Sequence, residues 1–147
     1  MQSNTAEKYI LYAGDKWNDH EWVKEKLRHV HSGLEVITVS NGLEVIQYIS
    51  SLRGDEYYPS LIILDINMPV WDGIRTLSTL KKEGDWRGIP VIMLATATQQ
   101  KDAELSIKLG ADRCITKPFK EDDLKSVLEN LAGFSLKQPA RKIIVAW

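Results

Sequence analysis

Three charged residues follow short apolar runs. They are Asp15 after Tyr9-Ile10-Leu11-Tyr12-Ala13, Asp65 after Leu61-Ile62-Ile63-Leu64, and Lys117 after Arg113-Cys114-Ile115-Thr116. They are 50 and 52 residues apart, so only tertiary structure can bring them together. Once together, two anions face one cation. Paired carboxylates attract a hard divalent cation, and Mg²⁺ typically takes one or two carboxylates, water and a phosphoryl oxygen. A lysine opposite them offers a point charge to another phosphoryl oxygen. A carboxylate in that setting can act as a nucleophile toward phosphorus, forming an aspartyl phosphate. Each residue alone has an ordinary reading: Asp15 and Asp65 as turn or cap residues, Lys117 as a solvated loop lysine, Asn67-Met68-Pro69 as a plain loop. The set, rather than any member, points to phosphoryl chemistry.

The elements that must position them form a repeating pattern. Strand-like runs alternate five times with helix-like periodic stretches, the signature of a parallel sheet covered by helices on both faces. Ligands on such a sheet bind beyond the carboxyl ends of the strands, where these residues stand. The other runs are Val36–Val39 and Val91–Leu94. Asn18 with Glu21 predicts a helix cap, with Trp17 and Trp22 as a hydrophobic staple, and Asn41 with Glu44 repeats the cap signature. Ile74, Leu77 and Leu80 mark a third helix, a fourth is expected from Gln99 to Leu109 with Gly110 ending it, and Leu124, Val127, Leu128 and Leu131 mark the last.

Composition limits the alternatives. The chain has 147 residues, 44% hydrophobic and 27% charged, enough for one domain with a full core. Nineteen basic against 20 acidic side chains give no reason to expect nucleic-acid binding through a broad basic surface. One cysteine, Cys114, allows no internal disulfide, and His20, His29 and His31 make no zinc pattern with it. A polar start without a signal sequence, and no apolar run near the ~18 residues of a membrane span, lead to the expectation of a cytoplasmic protein without membrane insertion. The organisation read from the pattern is a polar segment 1–7, a domain 8–132 and a tail 133–147. The tail carries +3 whereas the preceding 132 residues carry −4, and it ends in Ile143-Ile144-Val145-Ala146-Trp147. It reads equally as a flexible tail or as an arm that docks by strand addition.

Four stretches together are specific: Leu61-Ile62-Ile63-Leu64-Asp65-Ile66-Asn67-Met68-Pro69 followed by Asp72-Gly73, Ile89-Pro90-Val91-Ile92-Met93-Leu94, Leu109-Gly110-Ala111-Asp112, and Thr116-Lys117-Pro118-Phe119. In these the chain resembles the receiver domain of two-component response regulators, over about residues 8 to 131. The resemblance implies an α/β fold, a doubly wound five-stranded parallel sheet in the order 2-1-3-4-5, as in a flavodoxin-like three-layer sandwich. It implies that Asp65 accepts a phosphoryl group from a histidine kinase or phosphotransfer protein, and that Lys117 contacts that group. It further implies that Asp15, Asp65 and the Asn67 backbone carbonyl hold Mg²⁺, and that the Lys117-Pro118 peptide is cis. Such a protein is a phosphoacceptor that assists its own phosphorylation rather than an enzyme.

Departures from the family pattern bear on the expected behaviour. Gly14 stands where the first of two adjacent acids is usual, which predicts weaker Mg²⁺ binding. Ala95 stands where relatives carry a switching Ser or Thr; Thr96, the next residue, either substitutes or is a local structural hydroxyl. Cys114 replaces the aromatic residue that swings inward on activation, as a small buried thiol or alternatively as a redox group. Ala97 lacks the side chain that helps position water, which suggests slow hydrolysis of the aspartyl phosphate. Chemistry at Asp65 with a modified switch is the leading reading. A phosphorylation-independent interaction scaffold is the first rival. A small phosphate-handling enzyme is the second, disfavoured because Ala13-Gly14-Asp15-Lys16-Trp17 is neither a Walker loop nor a dinucleotide turn. The sixteen residues after Leu131 are too few for a DNA-binding module, so output is expected through an unknown downstream protein. Candidate contacts are the face of the last two helices and fifth strand, where a homodimer could also form, and the tail. Trp71 and Trp86 are candidate partner anchors, with partial burial the expectation for Trp86.

Overall fold

Apolar runs with no polar alternation bury both faces of a strand, and here they build the centre of a parallel sheet. The computed structural model describes residues 9–30, 33–53, 56–118 and 120–132. The strands are β1 (Tyr9–Ala13), β2 (Glu35–Val39), β3 (Leu61–Asp65), β4 (Val91–Ala95) and β5 (Arg113–Thr116). They form one sheet in the order β2-β1-β3-β4-β5, every pair parallel, as expected from the resemblance. The helices between and after them are α1 (Trp17–Val30), α2 (Gly42–Ser50), α3 (Gly73–Lys82), α4 (Gln100–Lys108) and α5 (Glu121–Val127), the last running into a π-helical turn at Leu128–Ala132.

Strand alternation sorts the core into two layers. Leu11, Ala13, Ile62, Leu64, Val91 and Met93 face α2 and α3, against Val45, Ile49, Leu77 and Leu80. Ile10, Tyr12, Leu61, Ile63, Ile92 and Leu94 face α1 and α5, against Val23, Leu27, Leu124 and Val127. Strands β1, β3 and β4 are buried throughout, whereas β2 at the edge is half-buried.

Local signals fix the starts of α2 and α3 and the close of α4, but not the expected start of α1. Asn41 caps α2 by accepting from the Glu44 amide at 3.0 Å, and the Glu44 carboxylate accepts from the Ser40 amide at 2.7 Å. Asp72 caps α3 by accepting from the Arg75 amide at 2.9 Å. Gly110 has φ of 112°, a backbone conformation that side chains oppose, and it turns the chain from α4 toward β5. The exception is α1. The expected cap at Asn18 is not used, because the helix has already begun at Trp17, where the Lys16 carbonyl accepts from Asp19 and His20. Trp17 is 68% exposed, so it makes no staple with the half-buried Trp22. Strands β3 and β4 each run one residue further than their apolar patterns, so Asp65 and Ala95 are themselves strand residues.

The segments 1–8 and 133–147, including the proposed arm, lie outside the described residues. Leu131 lies in the terminal π-helical turn. No helix among the described residues is long and apolar enough to cross a membrane.

Candidate functional site

Asp65 is the last residue of β3 and is 3% exposed. A buried carboxylate needs partners to offset its lost hydration. Two are present. The Lys117 ammonium lies 3.2 Å from Oδ2, and the Tyr12 hydroxyl lies 3.2 Å from both Oδ1 and Oδ2. Lys117 follows β5, and its backbone N–H donates to the Ala95 carbonyl at 2.7 Å, which holds the residue beside the end of β4. The Lys117-Pro118 peptide is cis. The ammonium also meets Asp19 Oδ2 at 3.1 Å, so it is shared between a buried acid and a half-buried one in the first turns of α1.

Strand register explains the tyrosine. Tyr12 pairs with Ile63 across β1 and β3, so Asp65 lies two residues further along on the same face. Such diagonal neighbours are ~7–8 Å apart, within reach of a long aromatic side chain. The Tyr12 ring is fully buried and meets the His20 ring edge-on at 5.5 Å, while His20 Nε2 donates to the Gly14 carbonyl at 2.5 Å. Gly14 is buried opposite the site. A Cβ there would lie 2.4 Å from the Tyr12 hydroxyl oxygen and 2.7 Å from Asp65 Oδ2, so only glycine leaves this space open.

Burial pushes the Asp65 carboxyl above its ordinary range, although Lys117 and the Tyr12 hydroxyl pull the other way. Burial alone would lower the Lys117 ammonium, but Asp65 and Asp19 outweigh it and hold the group protonated above its ordinary range. The Tyr12 phenol is raised by burial and then by the nearby acids Asp65, Asp19 and Asp15. It therefore stays a neutral donor. The arrangement is a buried carboxylate held by one cation and one hydroxyl.

Asp65 and Lys117, expected together, are together. Asp15 is exposed one residue past the buried Gly14, and the Asn67 backbone follows Asp65 by two residues at the same sheet edge. Asp15, Asp65 and the Asn67 carbonyl offer only hard oxygen ligands, a set that suits Mg²⁺. Among the described residues no group of three or more His, Cys, Asp or Glu side chains forms a metal cage, so the ion would bring much of its shell as water. Thr96 is exposed; its hydroxyl meets that of Thr98 at 3.1 Å and its amide donates to Gln99 Oε1 at 2.8 Å, contacts of the loop before α4.

Cys114 is half-buried rather than buried, and burial raises its thiol, which disfavours the thiolate that redox chemistry requires. With Ala95, Ala97 and Ile107 it lines an open groove of about 600 Å³ between α4 and β5. Trp86 packs partly buried against the first layer, as expected. Trp71 is half-buried under the Arg75 guanidinium at 3.9 Å, and its carbonyl accepts from the Gly42 amide at 3.0 Å. Sequence reasoning passed over Tyr12, Asp19 and His20. The available signals were the position of Asp19 four residues after Asp15 and a tyrosine in an otherwise aliphatic run.

The family model described as response regulator receiver domain matches residues 11–129. The chain is 35% identical over 128 residues, 87% of its length, to "Probable transcriptional regulator ycf27" of Pyropia yezoensis, 48% of which is covered. It spans about half the length of that regulator and of several other transcriptional regulators it matches. It is 30% identical to "Response regulator Rcp1" of Synechocystis, covering 88% of this chain and 90% of that one. Among solved structures, it is similar to the signal receiver domain of a signal transduction histidine kinase from Syntrophus aciditrophicus, with a TM-score of 0.77, 33% identity and coverage of 95% and 98%. It is also similar to the receiver domain of sensor histidine kinase PA1611 from Pseudomonas aeruginosa, solved with a magnesium ion coordinated in the active site cleft. There the TM-score is 0.72, at 26% identity over 85% of this chain and 97% of that one.

Proposed function

Because the chain belongs to the response regulator receiver domain family, we propose that it works as a phosphoacceptor of a two-component phosphorelay, carrying the phosphoryl group on Asp65. The observation that carries this reading is the buried carboxylate at the end of β3 with the Lys117 ammonium 3.2 Å away. In the transfer, an Asp65 oxygen forms a bond to phosphorus as the bond from phosphorus to the donor nitrogen of a phosphohistidine breaks. The leaving imidazole takes its proton from solvent. Oδ1 is the oxygen not in contact with Lys117, so it is the better placed to attack. The ammonium then exchanges its carboxylate contacts for a phosphoryl oxygen, which places positive charge where negative charge gathers.

Asp15, Asp65 and the Asn67 carbonyl would hold Mg²⁺, which when bound neutralises charge on the phosphoryl oxygens. Gly14 removes one acid from that set, so its affinity for the ion is expected to be weaker than in a two-acid site. The readout is altered as well. Ala95 is buried and has no hydroxyl to draw toward a phosphoryl group, the Thr96 hydroxyl faces Thr98, and Cys114 has no ring to swing. Output through protein contacts, with a histidine kinase or phosphotransfer protein upstream and a further protein downstream, completes the reading.

Incubation with Mg²⁺ and acetyl phosphate followed by intact-mass measurement tests this. One added phosphoryl group in the parent and none in Asp65→Asn is the expected result. No gain under conditions that label an active receiver supports the second reading, a phosphorylation-independent scaffold, which the engagement of both Asp65 oxygens by protein donors favours.

A further inference from the structure

Tyr12 and Gly14 form a matched pair around the nucleophile, and the acceptor chemistry of Asp65 accounts for neither. The space opposite Asp65 holds a phenolic hydroxyl, and it can do so only because residue 14 has no side chain: a Cβ there would come within 2.8 Å of the Tyr12 ring carbon Cζ and nearer still to its oxygen. The ring is fixed by the strand register, by complete burial and by the edge-on His20 ring, whose own nitrogen is tied to the Gly14 carbonyl. The hydroxyl is thus aimed at Asp65, and it touches both oxygens at 3.2 Å. It has one hydrogen to give, so it alternates between them.

We propose, resting on the acceptor reading above, that Tyr12 is a positioning residue that restrains Asp65: its hydroxyl competes with the divalent cation and with incoming phosphorus for the same carboxylate oxygens. A donor on a carboxylate stabilises the full negative charge of the resting state. As the oxygen bonds to phosphorus or to a metal ion, that charge is shared elsewhere and the donor loses strength. The hydroxyl therefore slows acceptance and weakens cation binding, and Asp65 is held ready but guarded.

Tyr12→Phe removes only the hydroxyl, and two readouts are taken on it. The first is Mg²⁺ affinity of the unphosphorylated protein, by isothermal titration. The second is the rate of mass gain with acetyl phosphate, resolved into a maximal rate and a half-saturating donor concentration. Because the contacts are at the long end of the hydrogen-bond range, the expected effect is about fivefold tighter Mg²⁺ binding and an about fivefold higher maximal rate. The half-saturating donor concentration stays within about twofold, since the hydroxyl acts on the nucleophile and not on the donor. Unchanged or weaker Mg²⁺ binding, or an unchanged or lower maximal rate in a labelled protein, overturns the proposal. If neither protein is labelled, the acceptor reading fails while the Mg²⁺ titration still decides the role of Tyr12. Tyr12→Val with Gly14→Asp supplies a second acid in the vacated space. Mg²⁺ binding tighter than in Tyr12→Phe supports the matched pair, and binding no tighter than in Tyr12→Phe overturns it.

Discussion

Asp19→Asn is the perturbation that most directly tests how the lysine is shared. Lys117 Nζ lies 3.1 Å from Asp19 and 3.2 Å from Asp65, so two carboxylates divide one ammonium. At 3.1 Å the gross attraction is about 5 kcal/mol with an effective dielectric near 20. Most of that is cancelled by desolvation and by the cost of holding the side chain, and Asp19 is about one-third exposed (34%). The net value is that of a partly exposed pair, about 1 kcal/mol or less. Asparagine keeps the size of the side chain and its accepting oxygen but removes the charge. Lys117 then leans toward Asp65 and its phosphoryl group, and the site repels an anionic donor less. About 1 kcal/mol corresponds to an about fivefold faster gain of phosphoryl mass with acetyl phosphate. The same substitution lowers the melting temperature by about 2–4 °C, the shift that ~1 kcal/mol gives in a domain of this size. A labelling rate equal to or below the parent's, with Lys117→Ala inactive, would refute the idea that Asp19 draws the lysine away. Equal melting temperatures would refute the pair itself.

Two further outcomes follow from groups outside the site. Gly110→Ala places a methyl group at φ of 112° and 3.1 Å from Lys81 Cγ, and should cost about 1–2 kcal/mol, read as a lowered urea midpoint with an unchanged slope. Lys81 is half-buried and donates to the Ile89 carbonyl at 2.9 Å and the Arg87 carbonyl at 3.1 Å. Burial lowers its ammonium below the ordinary 10.5, with Asp112 opposing in part. The folded protein therefore releases this proton before the unfolded chain does, and its contribution to stability rises with pH in the window just below 10.5. Lys81→Met should be less stable by about 1 kcal/mol at neutral pH and should lack that rise, as seen in the difference between denaturation curves taken from pH 8 upward.

The fold was legible because its signals are redundant. Four apolar runs, the Asn41–Glu44 cap and the helix-ending Gly110 each state their element locally, the weaker Arg113–Thr116 completes the pattern, and the parallel sheet then needs no long-range pairing rule beyond order. The cap at Asn18 misled because Asn, Asp and Lys crowd the entry to α1, and a backbone carbonyl at Lys16 closes the first turn without any side chain. The acid and lysine of the site were also readable, since charged residues at several strand ends converge on one edge of a parallel sheet although each alone has an ordinary turn or loop reading. Tyr12 was not. Its ring counts as apolar in any periodicity, and its hydroxyl matters only through a diagonal contact that depends on register between β1 and β3. Gly14 was read as a lost charge, whereas in the fold it is also the room that the phenol occupies. Asp19 lies in the first turns of α1, and its pairing with a residue 98 positions away arises only once the sheet brings the ends of β1 and β5 to one edge.

The close approach at Gly14 also constrains the routes by which this sequence can change. An aspartate gained at 14 while tyrosine remains at 12 must enter a space already filled to within 2.4 Å, so that single step is blocked by sterics. A smaller residue at 12 relieves the contact with the phenol at the cost of a cavity where the buried ring stood, and leaves Asp65 Oδ2, at 2.7 Å, to shift aside. The two replacements are thus coupled: aspartate at 14 costs less once residue 12 is small than while the tyrosine remains, a non-additivity between neighbouring positions of β1 and its exit loop. A library randomising both codons together should recover two-acid sites more often than randomisation of position 14 alone.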